Sequence, residues 1–122
     1  MLGRFFSDYV RADGPDSRLV IEPPPDALVF RKTTYDAFLD TPLLEWLRAR
    51  GIDQVVITGV LTHMCCETTA RSAFVRDFDV FFPVDATAAY TEELHRASLL
   101  TLAHGFAVPL LTEELLRLLG GG

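Results

Sequence analysis

The chain has 122 residues, enough for one modest domain, and 49% of them are hydrophobic, so a packed core is expected and wholesale disorder is excluded. A formal charge of −6 argues against nucleic acid and anionic membrane as partners, and no apolar run reaches a membrane span. The two cysteines, Cys65 and Cys66, are adjacent, which excludes a disulfide framework and disfavours a zinc site; with no signal-peptide pattern, the cytoplasm is the expected compartment.

Residues 1–26 are poor in regular patterns and read as a covering loop, with Phe5, Phe6, Tyr9 and Val10 as a short apolar patch. Asp13-Gly14-Pro15-Asp16 and Pro23-Pro24-Pro25 break the chain. An α/β core is expected over 27–119. Ala27-Leu28-Val29-Phe30 reads as a first strand ending near Lys32, and residues 34–40 as a loop. Thr41 and Pro42 open a helix that runs to about Arg50, with Leu43, Leu44 and Leu47 inward and Gly51 as its stop.

The stretch from Gln54 to Asp77 carries the strongest signal. Val55, Val56 and Ile57 are β-branched without alternation, the pattern of a strand covered on both faces in a parallel sheet. Gly59 ends it. From Glu67 the period becomes helical, with Ala70, Ala73 and Phe74 on one face. Residues 79–82 read as the next strand, closed by Pro83, and 84–89 as a loop. Thr91 caps a helix to about His104, with Leu94, Leu99 and Leu102 inward, and Gly105 stops it. Residues 106–111 form a last strand, marked by Pro109 as a sheet edge, and Thr112 caps a final helix. The order β-α-β-α-β-α-β-α implies a parallel-sheet, three-layer, Rossmann-like α/β fold with right-handed crossovers.

Cys65 stands where a strand gives way to a helix, and unpaired helix N–H groups there favour a thiolate. Open parallel sheets also bind their ligands beyond the carboxyl ends of their strands. Cys65 is therefore the expected nucleophile, and Cys66, about 100° further round, the packing residue. Ten of the 11 basic residues are Arg, and the single Lys, Lys32, ends the strand before the central one. A compact ammonium there can face a sulfur anion and a developing oxyanion. His63 is placed as a loop-packing or substrate contact, His95 and His104 as structural residues, and Asp85 as lining a pocket or capping its loop. No Gly-rich phosphate loop and no metal-ligand spacing is present, so no cofactor is expected.

KTTYDAF followed by TPLLEWLRARGIDQVVITGVLTHMCCETTARSAFVRDFDVFFPVDATAAYTEELHRASL resembles the isochorismatase-like cysteine hydrolase superfamily. The resemblance covers about 27–116 and rests on a lysine ahead of Tyr-Asp-x-Phe and on Gly-Val-x-Thr-x-x-Cys before a Thr-Ala-Arg helix. It implies Cys65 as the attacking thiol and Lys32 as its assistant. It further implies a cis peptide at Val60–Leu61, an oxyanion hole from the backbone N–H groups of Leu61 and Cys65, and Thr62, His63, Tyr35 and Asp85 as substrate contacts. In this reading the chain is one domain, 1–122, an oligomeric hydrolase of a small-molecule amide or imide. The alternatives are a vinyl-ether substrate of the isochorismate type, or an inactive remnant or assembly module.

The superfamily pattern also has a first strand ending in a general-base Asp, then a helix and a second strand, for which this chain offers no match, so the fold is expected to be N-terminally truncated. Asp8, Asp13, Asp16, Glu22 and Asp26 are the acids ahead of Lys32, and none ends an apolar strand. A family-style sheet would then carry a gap roughly 10 Å wide between the 27–30 strand and the central one.

Overall fold

The structure, a computed structural model, describes residue 11 and residues 13–120. The expected patch of Phe5, Phe6, Tyr9 and Val10 lies outside the described residues. Internal contacts divide the chain into two units, 1–30 and 31–122.

In the first unit a 3-10 turn, Pro15–Ser17, follows Gly14, and the Ser17 hydroxyl donates to the Gly14 carbonyl at 2.7 Å. A second turn joins the Ala27 N–H to the Pro24 carbonyl at 3.0 Å. The strand expected at 27–30 is absent: these residues are irregular, and Val29 is 60% exposed. A four-residue apolar run has no intrinsic strand stability without a ladder partner, and the described residues supply none.

The second unit holds helix α1 (Leu43–Ala49), strands β1 (Gln54–Val56) and β2 (Gly59–Val60), a π-type turn (Thr62–Cys66), α2 (Glu67–Phe74), β3 (Asp79–Pro83), β4 (Thr87–Ala88), α3 (Glu92–Gly105), β5 (Val108–Leu110) and α4 (Thr112–Leu118). Both sheets are parallel: β1-β3-β5 in one and β2-β4 in the other. Among the described residues no strand pairs with the second edge of β1. The gap expected in mid-sheet therefore does not arise, and β1 is an edge strand. Its valines are correspondingly less covered than their pattern suggests, with Val55 half-buried and Val56 41% exposed.

Gly59 sits at φ +114, a conformation open to glycine and strained for other residues. It turns the chain from β3, where the Ile57 N–H meets the Phe81 carbonyl at 3.0 Å, to the segment leading into β4, where the Gly59 N–H meets the Ala86 carbonyl at 3.0 Å. Between α2, β3 and α3 lies the core: Phe38, Leu47, Cys66, Ala70, Ala73, Phe78, Val80, Phe82 and Leu102. The small residues Ala70 and Ala73 let α2 approach closely.

Several inward assignments shift. Phe74 is 46% exposed and meets Phe106 edge to face at 5.3 Å, while Ser72 and Thr69 take buried positions on α2. On α3 Leu94 is exposed, and Ser98 with Leu102 forms the buried stripe. Thr91 caps α3 as its composition suggests, accepting from the Leu94 N–H at 3.2 Å. Thr112 is the first residue of α4 instead of its cap. Pro109 lies in β5, which is the outer strand of its sheet. No helix among the described residues is long and apolar enough to cross a membrane.

Candidate active site

The chain leaves β2 through a cis peptide between Val60 and Leu61 and enters the π-type turn. There the Leu61 carbonyl accepts from the N–H groups of Met64 at 3.1 Å and Cys66 at 3.2 Å. The wider turn sets the two cysteines apart. Cys65 is half-buried. Cys66 is 3% exposed and directs its thiol toward the Thr58 carbonyl at 3.8 Å. Burial, helped by the neighbouring Cys65, pushes the Cys66 thiol up to about 11, against a smaller opposing pull from Lys32.

Lys32 Nζ donates to Cys65 Sγ at 3.2 Å and to the Thr34 carbonyl at 2.8 Å. The lone lysine and the accessible thiol, 33 residues apart, thus share one place. The loop carrying Lys32 is fastened to α2 by the Tyr35-Asp36-Ala37-Phe38 segment. Asp36 accepts from the Phe38 N–H and from the Ser72 hydroxyl, both at 2.8 Å. Arg76 donates to the Ser72 hydroxyl at 2.5 Å and to its carbonyl at 2.9 Å. The Thr69 hydroxyl accepts from the Ala37 N–H at 3.1 Å and donates to the Tyr35 carbonyl at 3.3 Å. Asp36, Thr69, Ser72 and Arg76 carry no sequence signal of this role beyond the Tyr-Asp-x-Phe motif itself.

The turn is anchored from the other side by α3. The Thr62 side chain is fully buried, and its Oγ1 lies 2.8 Å from His95 Nδ1. His95 Nε2 lies 3.1 Å from the Val84 carbonyl, which can only accept. Nε2 therefore carries the proton, and the Thr62 hydroxyl donates to Nδ1. Ser98, one turn further on, donates to the Thr62 carbonyl at 3.3 Å. Thr62 is thus not placed as a substrate contact: no surface of it is left, and it ties the turn to α3. His95, expected as a structural residue, has that part.

Asp85 is exposed and engaged at one carboxylate oxygen. Its Oδ1 accepts from the Thr112 hydroxyl and N–H, each at 2.8 Å, and these bonds hold its carboxyl below the usual range. Tyr35 is half-buried, with its carbonyl engaged by Thr69. His63 stacks edge-on to Tyr90 with centroids 6.2 Å apart, and its buried Nδ1 has no hydrogen-bond partner among the described residues. His104 is on the far part of α3, beside a groove of about 820 Å³ lined by Phe74, Phe78, Val80, Phe106 and Val108, a place that Cys65 does not line. Of the acids ahead of Lys32, Asp13, Asp16, Glu22 and Asp26 belong to the first unit, and Asp8 lies outside the described residues.

Residues 2–114 match the family model described as Isochorismatase domain. The chain is 46% identical to Nicotinamidase 3 of Arabidopsis thaliana over 99% of its own length and 64% of that protein's. It is 40% identical to the isochorismatase of Bacillus subtilis (strain 168), over 95% of this chain and 38% of that one. The crystal structure of a cysteine hydrolase from Pseudomonas syringae pv. phaseolicola 1448A superposes with a TM-score of 0.83 at 31% identity, covering 87% of this chain and 56% of that one. The chain therefore spans less than two thirds of the length of each of these relatives.

Proposed function

This chain belongs to the isochorismatase family of hydrolases, and from that premise we propose that it cleaves a C–N bond of a small amide or imide through Cys65. The observation that supports this most directly is Lys32 Nζ lying 3.2 Å from Cys65 Sγ. The sulfur attacks the carbonyl carbon, and the fixed positive charge of Lys32 stabilises the sulfur anion that attacks. The carbonyl oxygen gathers negative charge, for which the backbone N–H groups of Leu61 and Cys65 are the proposed donors. The C–N bond breaks as nitrogen takes a proton from water, and the hydroxide so formed cleaves the thioester to give the acid and return the Cys65 sulfur. Tyr35 and His63 are the proposed substrate contacts. The buried Nδ1 of His63 supports its assignment, since a buried polar atom without a partner is costly.

The similarity to an enzyme named nicotinamidase makes nicotinamide the first amide to test. The similarity to an enzyme named isochorismatase makes a vinyl ether of the isochorismate type the second substrate class. Purified protein is offered nicotinamide, other small primary amides and isochorismate. Ammonia release that disappears in Cys65→Ala supports amide hydrolysis. Vinyl-ether cleavage that survives Cys65→Ala supports the second class. Turnover of neither supports a non-catalytic assembly module, the remaining reading. We also propose self-association, supported by the β1 edge that no strand among the described residues pairs with and by the exposure of Val56, and sedimentation as a strict monomer would overturn it.

A further inference from the structure

We propose that Lys32 and Cys65 form a reversible oxidative cross-link, a sulfenamide joining Nζ to Sγ, when the protein meets hydrogen peroxide. The inference concerns regulation of the site assigned above and rests on the same pairing of amine and sulfur. Peroxide transfers one oxygen to the Cys65 sulfur: an S–O bond forms, the O–O bond breaks, and water leaves a sulfenic acid. Two electrons pass from sulfur to peroxide. A sulfenic sulfur is an electrophile and is ordinarily captured by a second thiol.

Here the second thiol is badly placed. Cys66 is the chain's one other cysteine. It is 3% exposed, directs its sulfur toward the Thr58 carbonyl, and is pushed up to about 11, so little of it is thiolate near neutral pH. A bridge between neighbouring cysteines is also strained. The Lys32 amine, by contrast, already touches the Cys65 sulfur at 3.2 Å. Its stem is exposed and flexible, so Nζ can close the remaining distance. The Lys32 ammonium supplies the proton that completes the first water; the lone pair this frees attacks sulfur, the S–N bond forms, and the S–O bond breaks. The departing hydroxide takes a proton from nitrogen and leaves as water. The sum is thiol plus amine plus peroxide giving sulfenamide plus two waters. Two equivalents of an external thiol reverse it, restoring thiol and amine and forming the external disulfide. While it lasts, the bond withdraws both reactive groups and shields the sulfur from irreversible over-oxidation.

The whole protein is treated with a small excess of hydrogen peroxide and read by intact mass and by tandem mass spectrometry of a digest. The expected product is about 2 Da lighter, links residue 32 to residue 65, and reverts with dithiothreitol. Lys32→Arg should abolish it and accumulate a species about 32 Da heavier, the sulfinic acid. Cys66→Ala should retain it. Should that variant fail to fold, the wild-type digest still assigns the bond. Oxygen adducts alone, or a link between residues 65 and 66, overturn the proposal. A protein that cross-links but hydrolyses nothing upholds it and counts against the hydrolase reading. An active hydrolase that oxidises only to the sulfinic acid defeats this proposal alone.

Discussion

Asp36 and Ser72, 36 residues apart, are joined by a 2.8 Å hydrogen bond that fastens the loop behind Lys32 to the helix behind Cys65. Arg76 reinforces it by donating to the same hydroxyl. Ser72→Ala removes this contact without altering either reactive side chain. It should lower unfolding free energy by roughly 1–2 kcal/mol, the usual effect of losing a charge-assisted hydrogen bond. It should also slow iodoacetamide labelling of Cys65, because Lys32 is less well held. A folded variant labelling at the wild-type rate would show that the clamp does not position Lys32.

The two cysteines should differ sharply in reactivity. With its thiol near 11, Cys66 carries roughly one thiolate per thousand molecules at pH 8, and burial restricts its access further. Timed alkylation at that pH with peptide mapping should mark Cys65 first and leave Cys66 unmodified until the protein unfolds. Comparable rates at both positions would remove the case for a distinct nucleophile.

Cys66 also sets an alkaline limit. Its thiol titrates near the ordinary 9.0 when unfolded and near 11 when folded. Between these values the native state binds more proton than the unfolded one, so stability must fall as pH rises. Below about pH 9 both states keep the proton and the effect is flat. Thermal melts from pH 8 to 11 should show this decline. Cys66→Ala, though less stable throughout because it leaves a small cavity, should show a shallower slope. An equal slope in both proteins would assign the decline to other groups.

His95 bridges Thr62 and Val84, so His95→Ala strips partners from a fully buried hydroxyl and from a backbone carbonyl. The expected cost is roughly 1–3 kcal/mol. His95→Gln, which retains a donor and an acceptor, should recover part of it. Wild-type melting of the alanine variant would refute the anchoring role.

Gly59→Ala should destabilise by about 1 kcal/mol or more, although a methyl group there meets no atom within 4 Å. The cost comes from φ +114 alone. Chemical denaturation measures it, and an unchanged midpoint would mean that the turn relaxes without loss.

Much of this arrangement was legible in the chain itself, because local chemistry decided it. The switch from β-branched residues to a helical period placed α2, and Thr91 marked the start of α3 through its own hydroxyl. Lys32 and Cys65 stood out by rarity and by position, and they do meet. The rest depended on partners that local pattern does not name. Ala27-Leu28-Val29-Phe30 reads as a strand, yet no ladder receives it. Val55 and Val56 read as covered on both sides, yet β1 is an edge. Thr62 reads as a ligand contact from its loop between strand and helix, and Asp85 from its place at the end of a strand. The Thr62 hydroxyl is taken up by His95, and one carboxylate oxygen of Asp85 by Thr112, residues 33 and 27 positions further on. The converse holds for Ser72 and Thr69, whose hydroxyls look incidental on a helix until the loop that they bind is seen.

One short helix supports both halves of the reactive pair. The sulfur is borne by the turn that runs into α2, and the amine by a loop bound along its side through Thr69 and Ser72. The backbones that carry them are consequently tied to one helix and its immediate attachments, with no strand of the sheet in the path between them. Bending of β1 at the edge left unpaired among the described residues would therefore carry the two backbone supports together, as two handles on one bar.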